Sequence, residues 1–136
     1  MAKIYSYTKH INALTSIVLI LPSIEGRFIG TELCTLDDVT YVSIPDTAVL
    51  PEQRSEIAAS VQLVTLTDAL KLAIKTASSH VDLINTQVVE KIRLKYSADD
   101  EIKALRLAPS ATTDAWKAYA DECVLWGMER KAALGL

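Results

Sequence analysis

Between Pro51 and Pro109 the chain carries neither proline nor glycine. Proline removes a backbone donor and fixes φ, and glycine loosens the backbone, so together they punctuate local structure. A stretch without either can run as long helices. The first fifty residues cannot, because Pro22, Gly26, Gly30 and Pro45 interrupt segments rich in β-branched side chains. The chain therefore reads as α+β: a small N-terminal antiparallel β unit over residues 1–50, then a C-terminal helical region of three to four helices over residues 51–136.

Within the first part, "KIYSYTK" alternates Ile4, Ser6 and Thr8 against Tyr5, Tyr7 and Lys9, the period of a half-buried strand. "TSIVLIL" is continuously apolar between Asn12 and Pro22, which suits a strand covered on both faces. Glu25-Gly26 and Asp37-Asp38 read as turns. "RFIGTELCTL" is a third strand with Gly30 as a bulge or point of close approach, and "VTYVSI" a fourth that Pro45 ends. A sheet of three or four strands this small needs a covering layer.

Helices supply it. Pro51 fits the first turn of a helix through "EQRSEIAAS". Residues 61–66, "VQLVTL", alternate like a strand but lie in breaker-free sequence. A strand or extended connector is favoured there, because Thr67 can then cap the next helix with Asp68 in its first turn. That helix, over residues 67–95, carries Leu70, Ile74, Ala77, Val81, Ile84 and Val88 at alternating spacings of four and three, a heptad seam suited to a coiled coil. A second apolar stripe runs through Leu66, Ala73, Leu83 and Ile92. The flanking positions Lys71, Ser78 and Asn85, and Ala73, His80 and Gln87, hold little complementary charge. "YSADDEIKALRLAPS" restarts the pattern with Ser97 as N-cap and Asp100 placed for a capping box, and Pro109 stops it. A last helix over residues 113–134, capped by Thr112 or Thr113 with Asp114, ends where Gly135 can adopt a left-handed cap.

On the last helix Trp116, Tyr119, Cys123 and Trp126 project from one side. Cys123 sits between large rings, beside the small Ala120 and Gly127, with Glu122 next to it. A reactive thiolate needs a positive, partly exposed setting and a partner base; this is a packing position, for burial within the chain or across a subunit boundary. Leu125 and Met128 lie on other sides of the helix, so its C-terminal half is apolar nearly all round.

No catalytic, cofactor or metal site follows from the remaining residues. Asp99, Asp100 and Glu101 occupy a helix first turn, where acids are expected. Asp37-Asp38 is a turn, and no acid/base partners are identifiable for it. The glycines are too few for a phosphate loop. His10 and His80 have no catalytic neighbourhood, and strand propensity explains Tyr5, Tyr7 and Tyr41. The net charge is −3, and neither half is basic, which argues against nucleic-acid binding. The longest apolar run, Ile17 to Leu21, is too short for a signal core or a membrane span, and two distant cysteines, Cys34 and Cys123, suit a reducing compartment. Synthesis and folding in a cytoplasm, and an unpaired state for both cysteines, are expected.

"VVEKIRLKYSADDEIKALRLAPS" through "WKAYADECVLWGMERKAALGL", about half the chain, resembles the C-terminal helical region of small tail-associated virion proteins of bacteriophages, and "MAKIYSYTK" is similar to their start. The resemblance implies a structural, non-enzymatic component of a phage tail, tail fibre or baseplate, located in the virion, with no cofactor and no contact with membrane or nucleic acid. It would dock to other tail proteins. The seam from Leu70 to Val88 and the second apolar stripe, more than one chain of this size can readily cover, imply a homo-oligomer held by that seam, a trimer being favoured. The alternative is a non-virion assembly factor such as a tail-fibre chaperone or adaptor.

Overall fold

The computed structural model describes Ala2–Leu136 and is α+β, with an antiparallel sheet in the N-terminal half and helices in the C-terminal region. Its strands are β1 (Ala2–Tyr7), β2 (Ser23–Ile24), β3 (Arg27–Phe28), β4 (Thr31–Leu36), β5 (Val39–Pro45) and β6 (Gln62–Val64). Its helices are α1 (Ser55–Ala58), α2 (Asp68–Ala77), α3 (Ser79–Arg93), α4 (Ala98–Arg106) and α5 (Ala111–Ala133). The described chain divides into two compact units. One holds the chain up to Val81 together with Ala132–Leu136, the other Asp82–Lys131.

The sheet of the first unit runs β4-β5-β1-β6, antiparallel throughout, and β2-β3 form a separate two-stranded hairpin. The expected turns are present. Glu25 and Gly26 lie at φ 51° and 77°, and Asp37 and Asp38 at 48° and 65°. Positive φ at both central residues is what a two-residue type I′ hairpin turn requires. Residues 61–66 contribute β6, as the extended alternative expected.

Both faces of the sheet are buried, because successive side chains on a strand point to opposite sides. Tyr5, Tyr7, Val42 and Ile44 face one core, completed by Ile17, Leu19 and Ile57. Ile4, Leu33 and Tyr41 face a second, completed by Ile74 of α2, Val81 and Leu136. β1 is thus buried on both sides rather than half-buried. The tail end is tied to this second face: the Ser43 hydroxyl donates to the Leu134 carbonyl at 2.8 Å, and Gly135, past the end of α5, takes φ 86° as the expected left-handed cap.

Three expectations are corrected here. "TSIVLIL" is not a strand. β1 already has β5 on one side and β6 on the other, so no slot is left for it beside its sequence neighbour. It is a covering segment, with Ile17 and Leu19 buried and Val18 and Ile20 exposed. Its backbone is held piecemeal: the Ile17 N–H donates to the Lys9 carbonyl at 2.8 Å, and at Ile20 the Gln53 amide accepts from the N–H at 2.7 Å and donates to the carbonyl at 2.9 Å, in place of a neighbouring strand. Pro51 does not begin a helix. α1 starts only at Ser55, and the Pro51 carbonyl accepts from the same Gln53 amide at 2.8 Å.

The helix expected over residues 67–95 is two helices, which raises the helix number to five. Thr67 caps α2, accepting from the Leu70 N–H at 3.2 Å, but the chain turns extended at Ser78, at ψ 120°. The buried Ser78 is a double stop: its N–H donates to the Ile74 carbonyl at 2.9 Å, and its hydroxyl accepts from the Val81 N–H at 3.4 Å. Serine competes well for this role because its side chain can take over a helix N-terminal donor.

In the second unit, Ser97 and Asp100 form the expected capping box at the start of α4, with bonds of 3.1 and 2.9 Å. The Ser97 N–H, and after it the Ser97 hydroxyl, hold the Asp100 carboxyl below its ordinary range. At the start of α5 the cap is Ser110, not Thr112 or Thr113. The Ser110 hydroxyl accepts from the Thr113 N–H at 3.2 Å, and the Thr113 hydroxyl is diverted to the Ala104 carbonyl of α4.

Gly30 is a point of close approach in the first unit. It lies at φ 126°, and a Cβ there would stand 2.8 Å from Ile44 Cδ1 and 3.2 Å from the Ser43 carbonyl oxygen. Gly30→Ala is expected to cost about 2–3 kcal/mol by chemical denaturation, from backbone strain plus overpacking. Asp38→Gly, at a left-handed position of the β4-β5 turn, is expected to be neutral or to stabilise by up to about 1 kcal/mol. Equal effects of the two substitutions would contradict this assignment of strain.

Candidate functional site

The residues singled out in the sequence fall in two places. Leu70, Ile74 and Val81 pack into the second core of the first unit, and Ala77 is exposed. Ile84 and Val88 belong to the second unit, where they pack on α5. The six-residue seam is therefore not one continuous stripe. The break at Ser78 divides it, and five of its six members are used within the chain.

Trp116, Tyr119, Cys123 and Trp126 do share one side of α5. Cys123 is buried and the three rings are half-buried. The contact with α3 is set by Gly127. A Cβ there would run into Val88 Cγ2 and lie 3.9 Å from Ile84 Cγ2, so only glycine allows the two helices to come this close. Further along the antiparallel pair, the Tyr119 hydroxyl donates to the Lys91 carbonyl at 2.8 Å. Tyr119 also packs its ring against Tyr96 at 5.7 Å, tilted by 51°. Desolvation, and after it the neighbouring Cys123 thiol, raises the Tyr119 phenol above its ordinary range. The Trp116 indole nitrogen is buried with no hydrogen-bond partner among the described residues, so this ring serves as packing and not as a donor.

Both cysteines are free. Cys34 is half-buried, and burial, then the Glu32 charge, pushes its thiol up and away from the thiolate form that chemistry would need.

Sequence reasoning missed the cations around these rings. The Lys91 ammonium lies 4.8 Å from the Trp126 ring centre and the Arg130 guanidinium 5.2 Å from it; the Lys95 ammonium lies 4.8 Å from the Tyr119 ring. Such contacts are worth about 0.5–1 kcal/mol at exposed sites. Arg130 was within reach of the sequence, since it stands one helical turn beyond Trp126. Lys91 was not, because only the packing of α3 on α5 brings it there. These residues border an open groove of about 560 Å³, with Leu94 on its wall. A smaller cavity of about 140 Å³ lies beside Tyr119, Cys123 and Trp126.

The remaining sides of α5 are less covered. Val124, Leu125 and Met128 are 47%, 54% and 60% exposed. α4 leaves Ile102 and Leu105 largely exposed as well. Among the described residues no three metal-ligating side chains come together, and no helix is long and apolar enough to cross a membrane.

No protein-family model matches the chain, and no curated protein or solved structure is similar to it.

The Gly127 contact generates a coupled test. Gly127→Ala is expected to destabilise by about 1–3 kcal/mol through overpacking. Val88→Ala alone also costs stability, by cavity formation. The double variant should be more stable than the sum of the two costs implies, because the smaller residue 88 admits the new methyl group. Strict additivity in denaturation would show that the two residues do not meet.

Proposed function

We propose that the protein is a structural component of a bacteriophage virion, in the tail, tail fibre or baseplate, acting by homo-oligomerisation and by docking to other virion proteins rather than by catalysis. The observation that carries this reading is the surface of α5. One side is committed to α3 through Gly127, while Val124, Leu125 and Met128 remain about half exposed on the others. Large apolar side chains grouped on an exposed helix are the feature of a surface that is covered in an assembly. The resemblance of residues 88–136 to phage tail-associated proteins supports reading that assembly as a phage tail.

The seam first expected to hold the oligomer is not the surface proposed. Leu70, Ile74, Val81, Ile84 and Val88 are engaged inside the chain, so the subunit contact is assigned to Val124, Leu125 and Met128.

Protein analysis of purified phage particles tests the proposal. A structural component is expected in the particle at a fixed copy number relative to the other tail proteins. Presence in infected lysate with absence from the particle would replace this reading with that of an assembly chaperone or adaptor.

A further inference from the structure

The groove beside Trp126 is a second, separate feature of the Asp82–Lys131 unit. Three cationic side chains border it, Lys91, Arg93 and Arg130, against one carboxylate, Glu90. Arg93 is already paired with Glu101 of α4. Lys91 and Arg130 have no carboxylate within ion-pair distance among the described residues, and both converge on the same indole. Leu94, 85% exposed, supplies an apolar wall beside them.

Two cations that make no ion pair, over an aromatic ring and next to an exposed leucine, recognise a carboxylate carried beside an apolar group. We propose that this groove binds an acidic peptide segment of a partner protein: a glutamate or aspartate side chain between Lys91 and Arg130, and a neighbouring apolar side chain against Leu94 and Trp126.

The observations favour a peptide over the other ligands that use aromatic sites. A nucleobase or sugar ring would have to stack on Trp126, and two cationic heads already stand over that ring. A carboxylate binds those heads where they are and turns weak ring contacts into charge-assisted hydrogen bonds. A nucleic acid needs many phosphates neutralised at once. The chain as a whole is acidic, at −3, whereas the groove sets three cations against one carboxylate. A short acidic motif fits that distribution and a polyanion does not. The inference stands on the groove alone and holds whether or not the protein belongs to a virion.

The test uses the full chain. A short capped peptide alternating glutamate and leucine is titrated while the Trp126 indole resonance is followed. The same titration is run with glutamine in place of glutamate, and with a single-stranded oligonucleotide. The Glu–Leu peptide is expected to shift the indole resonance saturably, and the Gln–Leu peptide to bind at least about tenfold more weakly, as loss of a hydrogen bond to a charged group implies. Lys91→Gln with Arg130→Gln is expected to lower affinity for the Glu–Leu peptide by at least about tenfold as well. Lys117→Gln, exposed elsewhere on α5, should leave it unchanged. If the double variant loses helicity, Lys91→Gln alone serves as the same test. Equal binding of the two peptides, a stronger response to the oligonucleotide, or an indole shift that follows protein concentration and not peptide would overturn the proposal. The last of these would mean that a second copy occupies the groove.

Discussion

The second unit is organised by one close approach. At Gly127 the missing side chain lets Val88 of α3 come to a position where a Cβ could not stand. Interhelical distance depends on the side chains at the crossing, and a single methyl group there would have to be accommodated by moving a whole helix. The consequences extend along the pair. With α3 and α5 held at this distance, the Tyr119 hydroxyl reaches the Lys91 carbonyl, and the Lys91 ammonium reaches the face of Trp126. The same contact commits one side of α5 and leaves Val124, Leu125 and Met128 without cover in the single chain.

The first unit meets a different constraint. Its four-stranded sheet has apolar side chains on both faces, and a sheet buried on both sides needs two covering layers. Ile17, Leu19 and Ile57 close one face, and Ile74, Val81 and Leu136 the other. The second layer draws on residues from opposite ends of the sequence, so the final residues of the chain are part of a core and not a loose tail. Ser43 reinforces this by bonding the Leu134 carbonyl.

Much of the fold was legible because it depends on local chemistry. The alternation in β1 and β5, the turns at Glu25-Gly26 and Asp37-Asp38, the caps at Thr67 and Ser97, and the terminal Gly135 each follow from a few adjacent residues. What was not legible depends on competition between distant segments. "TSIVLIL" has the composition of a buried strand, but β6 takes the place beside β1, and the amide of Gln53 replaces the missing ladder. Ser78 looked like an interior position of a long heptad helix because its spacing was correct. Its hydroxyl instead accepts from the Val81 N–H in the first turn of a new helix, and burial in the first unit holds it there. The aromatic stripe of α5 was visible, but the lysine that sits over Trp126 comes from a different helix, and nothing local to either residue announces the pair. The heptad seam was a correct reading of apolar spacing. Its assignment to a partner helix failed because the chain supplies its own partners for Leu70, Ile74, Val81, Ile84 and Val88.

In the function proposed, α5 has two roles on different sides: a closed contact inside the chain, and an open apolar surface that a second chain would cover. Sedimentation velocity at micromolar concentration, on the wild type and on a variant carrying Leu125→Glu and Met128→Glu, separates these roles. The wild type is expected to sediment as a discrete homo-oligomer, and the variant as a monomer with unchanged helicity, because the substitutions touch only exposed positions. A wild type that is a well-folded monomer under these conditions would contradict the proposal.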